Sequence, residues 1–296
     1  MAQQTQIEAM IPYYERWMAK WPDLKALAKA DESELLKMWE GLGYYSRVRN
    51  IHQAARMLSE CDHVFPHTLE DIRALPGIGA YTAAAIASIC FETKAVALDG
   101  NVYRVVSRLF EFEDVLGSRP LQEKVTAKME DWMRTATPSV FTQAMMELGA
   151  LICTPKNPDC VNCPLQGDCI SVRSQTMTLY PKKKASKAKP EFHKSILINM
   201  TADHKIALTK EAGDGLMKGY WRFPETQMIP EKAQLLGHHH HVFTHLIWDL
   251  DFYLITSEEN TEYSWFSEAE IEALPLITAH RSFFDKTKSR IYASES

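Results

Sequence analysis

Two groups of residues have the types and spacing to do chemistry. The first is a run of four cysteines, Cys153-x6-Cys160-x2-Cys163-x5-Cys169, within 17 residues. Four thiolates this close form one site rather than two. A zinc ribbon usually pairs two C-x2-C knuckles farther apart. A single C-x2-C flanked at six and five residues suits a four-iron cluster wrapped by a short loop, with zinc as the other metal open to it. The second group lies in residues 75–104, LPGIGAYTAAAIASICFETKAVALDGNVYR. Here a Pro76-Gly77-Ile78-Gly79 turn separates two helical patterns, and a lone carboxylate, Asp99, follows just before another helix. A glycine turn between helices can aim bare backbone N–H groups at a phosphate, or it can be a plain helix–helix turn. Asp99 is either the N-cap of the helix from Asn101 or a carboxylate set there for chemistry.

The elements that must position these groups change character along the chain. Ile7, Met10, Ile11, Tyr14, Trp17 and Met18 recur at helical spacing, and Trp21-Pro22 ends that helix. Short helices are expected over 23–29 and from Asp31 or Ser33 to Trp39. A turn at Gly41-Leu42-Gly43 leads into a helix opened by Tyr44, Tyr45, Arg47 and Arg49 and ending near Cys61. Arg47 and Arg49 read as phosphate contacts or as a solvated helix face. Thr68 and Asp71 have capping-box spacing. Ala80–Phe91 reads as a helix buried on most faces, and 101–111, 120–135 and 139–152 as further helices. Cys61 and Cys90 read as small buried core residues. Residues 1–170 are therefore expected to form an all-helical domain carrying the cysteine loop 153–169.

Residues 171–190 hold six basic and no acidic residues, among them Lys182, Lys183, Lys184, Lys187 and Lys189. This is a solvated linker or one that also touches a polyanion. Beyond it, 193–200, 205–210 and 241–256 are rich in β-branched and aromatic residues, and 266–274 looks helical. Residues 191–296 are thus expected to form an α+β domain. His238 to His241 read as a solvated or nucleic-acid-facing loop.

Composition is that of an ordinary globular chain: 296 residues, 46% hydrophobic, 24% charged, net charge −5. No apolar run approaches the roughly 20 residues needed to span a membrane. No signal peptide is evident, and a cytoplasmic, nucleoid-associated protein without disulfides is the expectation.

The combination of motifs resembles the helix-hairpin-helix DNA glycosylases of the endonuclease III-like superfamily, and within them the adenine glycosylases of the MutY type. The stretches that carry the likeness are Met1-Ala-Gln-Gln-Thr5, Ile11-Pro-Tyr-Tyr14, Trp39-Glu-Gly-Leu-Gly-Tyr-Tyr-Ser-Arg-Val-Arg-Asn50, Leu75-Pro-Gly-Ile-Gly-Ala-Tyr-Thr82, Leu98-Asp-Gly-Asn-Val-Tyr-Arg104 and the four cysteines. The resemblance implies an all-α glycosylase domain with a [4Fe-4S] loop on Cys153, Cys160, Cys163 and Cys169, followed by a MutT-like, Nudix-fold domain. It implies monofunctional removal of adenine mispaired with 8-oxoguanine or guanine in double-stranded DNA, by a monomer. Asp99 would stabilise the oxocarbenium-like sugar as the N-glycosidic bond breaks. Gly77, Gly79 and Asn101 would contact the DNA backbone. Tyr44 and Gln4 would wedge into the duplex beside the mispaired guanine. Phe243-Thr244-His245 matches the Phe-Ser-His loop that recognises 8-oxoguanine, with Thr in place of Ser. At Tyr81 the related glycosylase-lyases carry a lysine that forms a Schiff base; a phenol forms none.

Two departures are visible. The second domain lacks the Glu-rich Nudix helix, so nucleotide hydrolysis is not expected. The family's general-acid glutamate would stand two residues before Met1, which makes the sequence look truncated at its N-terminus. The alternatives are a non-catalytic protein that binds the 8-oxoguanine mispair, and a glycosylase-lyase, which Tyr81 and the second domain disfavour.

Overall fold

Several helix starts are set by capping side chains. Asp23 accepts from Ala26 N at 2.7 Å, Thr68 from Asp71 N at 3.1 Å and Asp99 from Val102 N at 2.8 Å. Ser267 and Glu270 form a reciprocal capping box. The computed structural model describes residues 1, 3, 5–61, 64–184, 188–210, 217–244 and 246–293. By packing, the chain forms two compact units, Met1–His63 with Lys187–Ser296, and Val64–Ser186.

The first unit joins four helices to a sheet. The helices are α1 (Ile7–Lys20), α2 (Leu24–Ala28), α3 (Glu32–Trp39) and α4 (Ser46–Ser59). Trp17 packs edge-on to Trp21 and Trp39 at centroid distances of 4.8 and 5.7 Å. The sheet strands are β1 (Glu191–Met200), β2 (Ile206–Lys210), β3 (Trp221–Arg222), β4 (Glu225–Thr226), β5 (Gln234–Val242), β6 (Ile247–Thr256) and β7 (Ser264–Phe266). The order is β3-β2-β1-β6-β5, with β4 on β1 and β7 on β2. The central pair, β1 and β6, is parallel in register from Glu191↔Ile247 to Met200↔Thr256, and β5 runs antiparallel to β6.

A single apolar core runs through this unit, from Trp39, Leu35 and Leu36 to Ile198, Phe252 and Phe284. Polar contacts reinforce it: Tyr220 donates to Leu36 O at 3.0 Å, and Arg281 pairs with Glu40 at 2.8 Å. Two helices beyond the sheet complete it, here labelled by their place in the chain as α11 (Glu268–Ala273) and α12 (Thr278–Tyr292).

The second unit holds α5 (Leu69–Ala74), α6 (Ala80–Phe91), α7 (Gly100–Phe110), α8 (Arg119–Met133), α9 (Pro138–Glu147) and α10 (Ile170–Ser174). A π-helical turn, Leu148–Ile152, follows α9 directly and leads into the cysteine loop. Val102, Val105, Leu121, Val125 and Met129 form one core, and Ile72, Ala83, Ala84 and Ala87 a smaller one.

Three expectations are corrected. The four histidines lie in β5, not in a loop, and alternate between exposed (His238, His240) and half-buried (His239, His241). They stay in the strand because each pairs in register with β6. Cys61 and Cys90 are exposed: the first lies just past the C-terminus of α4, the second on the outer side of α6. α6 is fully buried along one side only, at Ala83, Ala84, Ala87 and Ser88. Helix α12 has no counterpart in the sequence reading, because its charged residues mask Phe283, Phe284 and Ile291.

His280 on α12 is buried, and its Nδ1 accepts from Phe223 N at 3.0 Å. Burial, reinforced by Arg222 and Lys194, pushes it down to about 3. The unfolded chain takes up this proton below about pH 6.5 and the folded chain does not. Stability from this group is therefore whole above that pH and is lost as pH falls towards 3, by up to about 1.4 kcal/mol per unit. Replacing His280 with Gln, which keeps an acceptor, should flatten the fall in the urea midpoint between neutral pH and about pH 5. Tryptophan fluorescence reads it, since six of the seven tryptophans lie in this unit.

Candidate functional site

Asp99 is the N-cap of α7 and is held at both oxygens. Oδ1 accepts from Val102 N at 2.8 Å, and Oδ2 accepts from the Asn101 side-chain amide at 2.9 Å. The capping role is therefore real, but it leaves lone pairs on both oxygens. The carboxylate cannot rotate without losing a bond. Tyr81, in the first turn of α6, is half-buried. Burial first, and the charge of Asp99 second, push its phenol above the usual tyrosine range. It is therefore a neutral O–H donor at neutral pH.

The turn before α6 needs glycine at Gly77, which has φ +76°. Gly79 sits at the N-cap of α6 in extended conformation, with no side chain to cap the helix and no acidic residue in the first turn. Neither a side-chain cap nor a first-turn carboxylate therefore offsets the positive end of the helix dipole here.

Asn101 does more than brace Asp99. Its Oδ1 accepts from Arg104 Nη2 at 2.8 Å. Arg104 also donates to Gly149 O at 2.6 Å and, through Nε, to Cys153 O at 2.7 Å. One turn on, buried Arg108 donates to Cys153 Sγ at 3.3 Å, Thr154 O at 2.7 Å and Pro155 O at 2.8 Å. Helix α7 thus carries the carboxylate at its N-terminus and clamps the start of the cysteine loop along its length. Gly149 permits the close approach: a Cβ there would lie 2.5 Å from Asn101 Cβ. Arg104 and Arg108 were not singled out from the sequence. Their signal was two arginines at i and i+4 on an otherwise apolar helix, a pattern that requires buried acceptors.

Cys153, Cys160, Cys163 and Cys169 line one cavity with Arg108, Leu148 and Leu165. A single C-x2-C flanked at six and five residues, with all four cysteines on one short loop around that cavity, fits a polynuclear iron–sulfur centre. Burial and the neighbouring cysteines push the Cys160 thiol up, and burial pushes up Cys169. A cationic centre reverses that cost by binding the thiolates. When bound, the cluster supplies a cross-link between the ends of the loop, and Arg108 hydrogen-bonds one of its sulfur ligands.

In the first unit, Tyr44 lies between Gly43 and α4 with φ +49°, a costly conformation for a bulky side chain. Its ring is exposed, and Arg47 lies 5.3 Å from its centroid. Thr244 Oγ1 donates to the Tyr44 hydroxyl at 3.1 Å. Two residues 200 positions apart, selected separately in the sequence, are thus in contact. Thr244 lies in the turn that closes β5 onto β6, where Phe243 N donates to Leu246 O at 2.9 Å. Phe243 packs against His241 and Trp248 at 4.5 and 4.8 Å. Gln4 and His245 lie outside the described residues.

Arg47 is neither a phosphate contact nor a solvated residue. It is buried and donates to Met1 O, Gln3 O, Thr5 Oγ1, Leu42 O and Gly43 O. Arg49 pairs with Glu32 at 3.5 Å. Within the basic segment, Lys182 pairs with Glu113 at 3.5 Å and Lys189 donates to Phe243 O at 2.8 Å, while Lys187 lies outside the described residues.

Arg108→Gln should weaken retention of the iron centre by roughly tenfold, the usual scale for a residue supporting a metal ligand. Faster bleaching of the visible charge-transfer absorption on chelation would show it.

Residues 1–135 match the family model of HhH-GPD superfamily base excision DNA repair proteins. Residues 153–169 match the iron-sulfur binding domain of endonuclease III, and residues 196–286 the NUDIX domain. The chain is 31% identical to the adenine DNA glycosylase of rat (Rattus norvegicus), with 96% of this chain and 69% of the relative aligned. It is 34% identical to the adenine DNA glycosylase of Arabidopsis thaliana over 78% of this chain and 42% of the relative. It is 28% identical to that of Buchnera aphidicola subsp. Baizongia pistaciae over 97% of this chain and 87% of the relative. With its helical glycosylase-type part, its iron–sulfur loop and its NUDIX-fold sheet, the chain belongs to the adenine DNA glycosylase family of base excision DNA repair proteins.

Proposed function

We propose that the chain hydrolyses the N-glycosidic bond of adenine mispaired with 8-oxoguanine or guanine in duplex DNA. The observation that carries this reading is Asp99, a carboxylate fixed at both oxygens with a neutral phenol, Tyr81, near it. As the bond between adenine and C1′ lengthens, positive charge grows on the sugar. A preoriented carboxylate stabilises that charge without having to reorganise. The C1′–N bond breaks with its electron pair on the adenine, water adds to C1′, and the proton that water gives up balances the one the departing adenine takes up. Tyr81 has no amine to attack the sugar, so no Schiff base forms and the DNA strand stays intact.

The turn at Gly77 and Gly79 and the N-terminus of α6 are the proposed phosphate grip, with Asn101 contributing at the start of α7. Tyr44 is the proposed wedge. Stacking beside the guanine partner offsets the few kcal/mol of extruding the adenine. Phe243, Thr244 and His245 are the proposed readers of 8-oxoguanine. The Thr244–Tyr44 hydrogen bond supports this pairing of roles, since it joins the wedge to the reader.

A single-turnover assay on duplex holding adenine opposite 8-oxoguanine tests the chemistry. Base loss that becomes a strand break only after alkali is expected, and Asp99→Asn should slow it by at least 10²–10³-fold. Strand nicking without alkali would overturn the monofunctional assignment. Tight mispair binding with no base loss would instead make the protein a lesion binder.

Thr244→Val removes a donor but keeps the shape. It should lower the preference for 8-oxoguanine over guanine opposite adenine by about 1 kcal/mol, roughly fivefold, in competition binding. Binding to undamaged duplex should not change.

A further inference from the structure

The solvent face of the sheet carries a cluster that none of the proposed repair chemistry uses. In register across β1, β6 and β5 stand His193, Asp249 and His240. Both imidazoles turn to the central carboxylate: His193 Nδ1 lies 3.0 Å from Asp249 Oδ2, and His240 Nδ1 lies 3.9 Å from Asp249 Oδ1. Glu191, two residues before His193 and so on the same face, joins them. One donor atom each from Glu191, His193 and Asp249 lies within 4.8 Å of the others. The next row repeats the theme, with His238 hydrogen-bonded to Asp251. The alternation of β5 turns His239 and His241 the other way, where His239 meets Phe283 and His241 meets Phe243.

We propose that Glu191, His193, Asp249 and His240 form a binding site for a divalent transition metal ion, distinct from the cysteine loop. Two imidazoles, which are borderline donors, stand beside two harder carboxylates. The imidazoles favour Zn2+, Ni2+ or Cu2+ over Mg2+ or Ca2+, which prefer all-oxygen shells. Strands about 4.8 Å apart place outer-strand side chains on either side of a middle-strand carboxylate. The two rings therefore approach a common point above Asp249, and small rotations bring their nitrogens to the roughly 2.0–2.1 Å that zinc requires. Two carboxylates balance the charge of a dication. As bare surface pairs, the same contacts would contribute little to stability, so stability alone does not account for the two imidazoles converging on one carboxylate. The site also lies three residues from either end of the Phe243–Leu246 turn. A bound ion would tie β1, β6 and β5 together at the base of that turn.

The test is titration of the full, cluster-loaded chain with ZnCl2 by calorimetry, with iron content measured before and after to exclude exchange at the cysteines. Saturable binding of about one ion per chain is expected. His193→Ala and His240→Ala should each weaken it by roughly tenfold or more, while His204→Ala, remote on the β1–β2 turn, should not. Cu2+ loaded at the site should show hyperfine coupling to two imidazole nitrogens by electron paramagnetic resonance. His193 and His240 are mostly exposed, at 75% and 55% of the side chain, so their removal leaves the fold intact, and circular dichroism verifies this. The proposal is overturned if no saturable zinc binding occurs, or if binding is insensitive to either substitution.

Discussion

Arg104 holds three acceptors on three segments: the Asn101 side chain, Gly149 O and Cys153 O. Much of the second unit depends on that one buried guanidinium. A planar group with five donors can satisfy acceptors in fixed directions that a lysine could not reach together. Its burial is tolerated only because those acceptors are present; without them, a desolvated cation would cost several kcal/mol. The same group fixes Asn101, which fixes Asp99. The geometry of the carboxylate is thus set by the loop that carries the cysteines. Gly149 is part of the arrangement because only a residue without Cβ lets the π-helical turn lie against α7.

The first unit is organised by apolar packing rather than by a buried charge. Its core runs from the tryptophans of the first helices to Phe252, Phe283 and Phe284 without a break. A buried parallel strand pair gives it a spine, and β1 is accordingly near-continuously apolar from Ile196 to Met200. Tyr44 stands out in this setting as strained, exposed and hydrogen-bonded to Thr244. Strain of this kind persists only where surrounding structure holds it. Here the holding group is Arg47, whose guanidinium binds the carbonyls of the preceding turn and stacks near both Tyr44 and Trp39.

Local elements were legible wherever one residue type has one dominant use. Capping by Asp31, Thr68 and Asp99 could be read from the spacing of short polar side chains before apolar runs. The single cysteine site followed from loop length, and the turn at Gly77 from its two glycines between helical patterns. The sequence misled where a side chain has two uses. Arg47 looked like a surface cation and is a buried brace. The histidine run looked like a loop and is a strand, because polarity alone does not distinguish a loop from an exposed sheet face. Cys61 and Cys90 looked apolar enough for a core and are exposed, since nothing local tells which side of a helix is covered.

The order of the helices up to residue 152, the change to a sheet near residue 191, the iron–sulfur loop and the carboxylate before α7 were all determined by the sequence itself. Each depends on neighbours within a few residues, and hydrophobic period, caps and ligand spacing are local quantities. Only the tertiary structure decided that the first four helices share a core with the C-terminal sheet, that Tyr44 meets Thr244, that Arg104 links Asp99 to the cysteine loop, and that His193, Asp249 and His240 form one row. Those depend on strand register and on which faces are buried together, and both are settled by contacts between residues far apart in the chain.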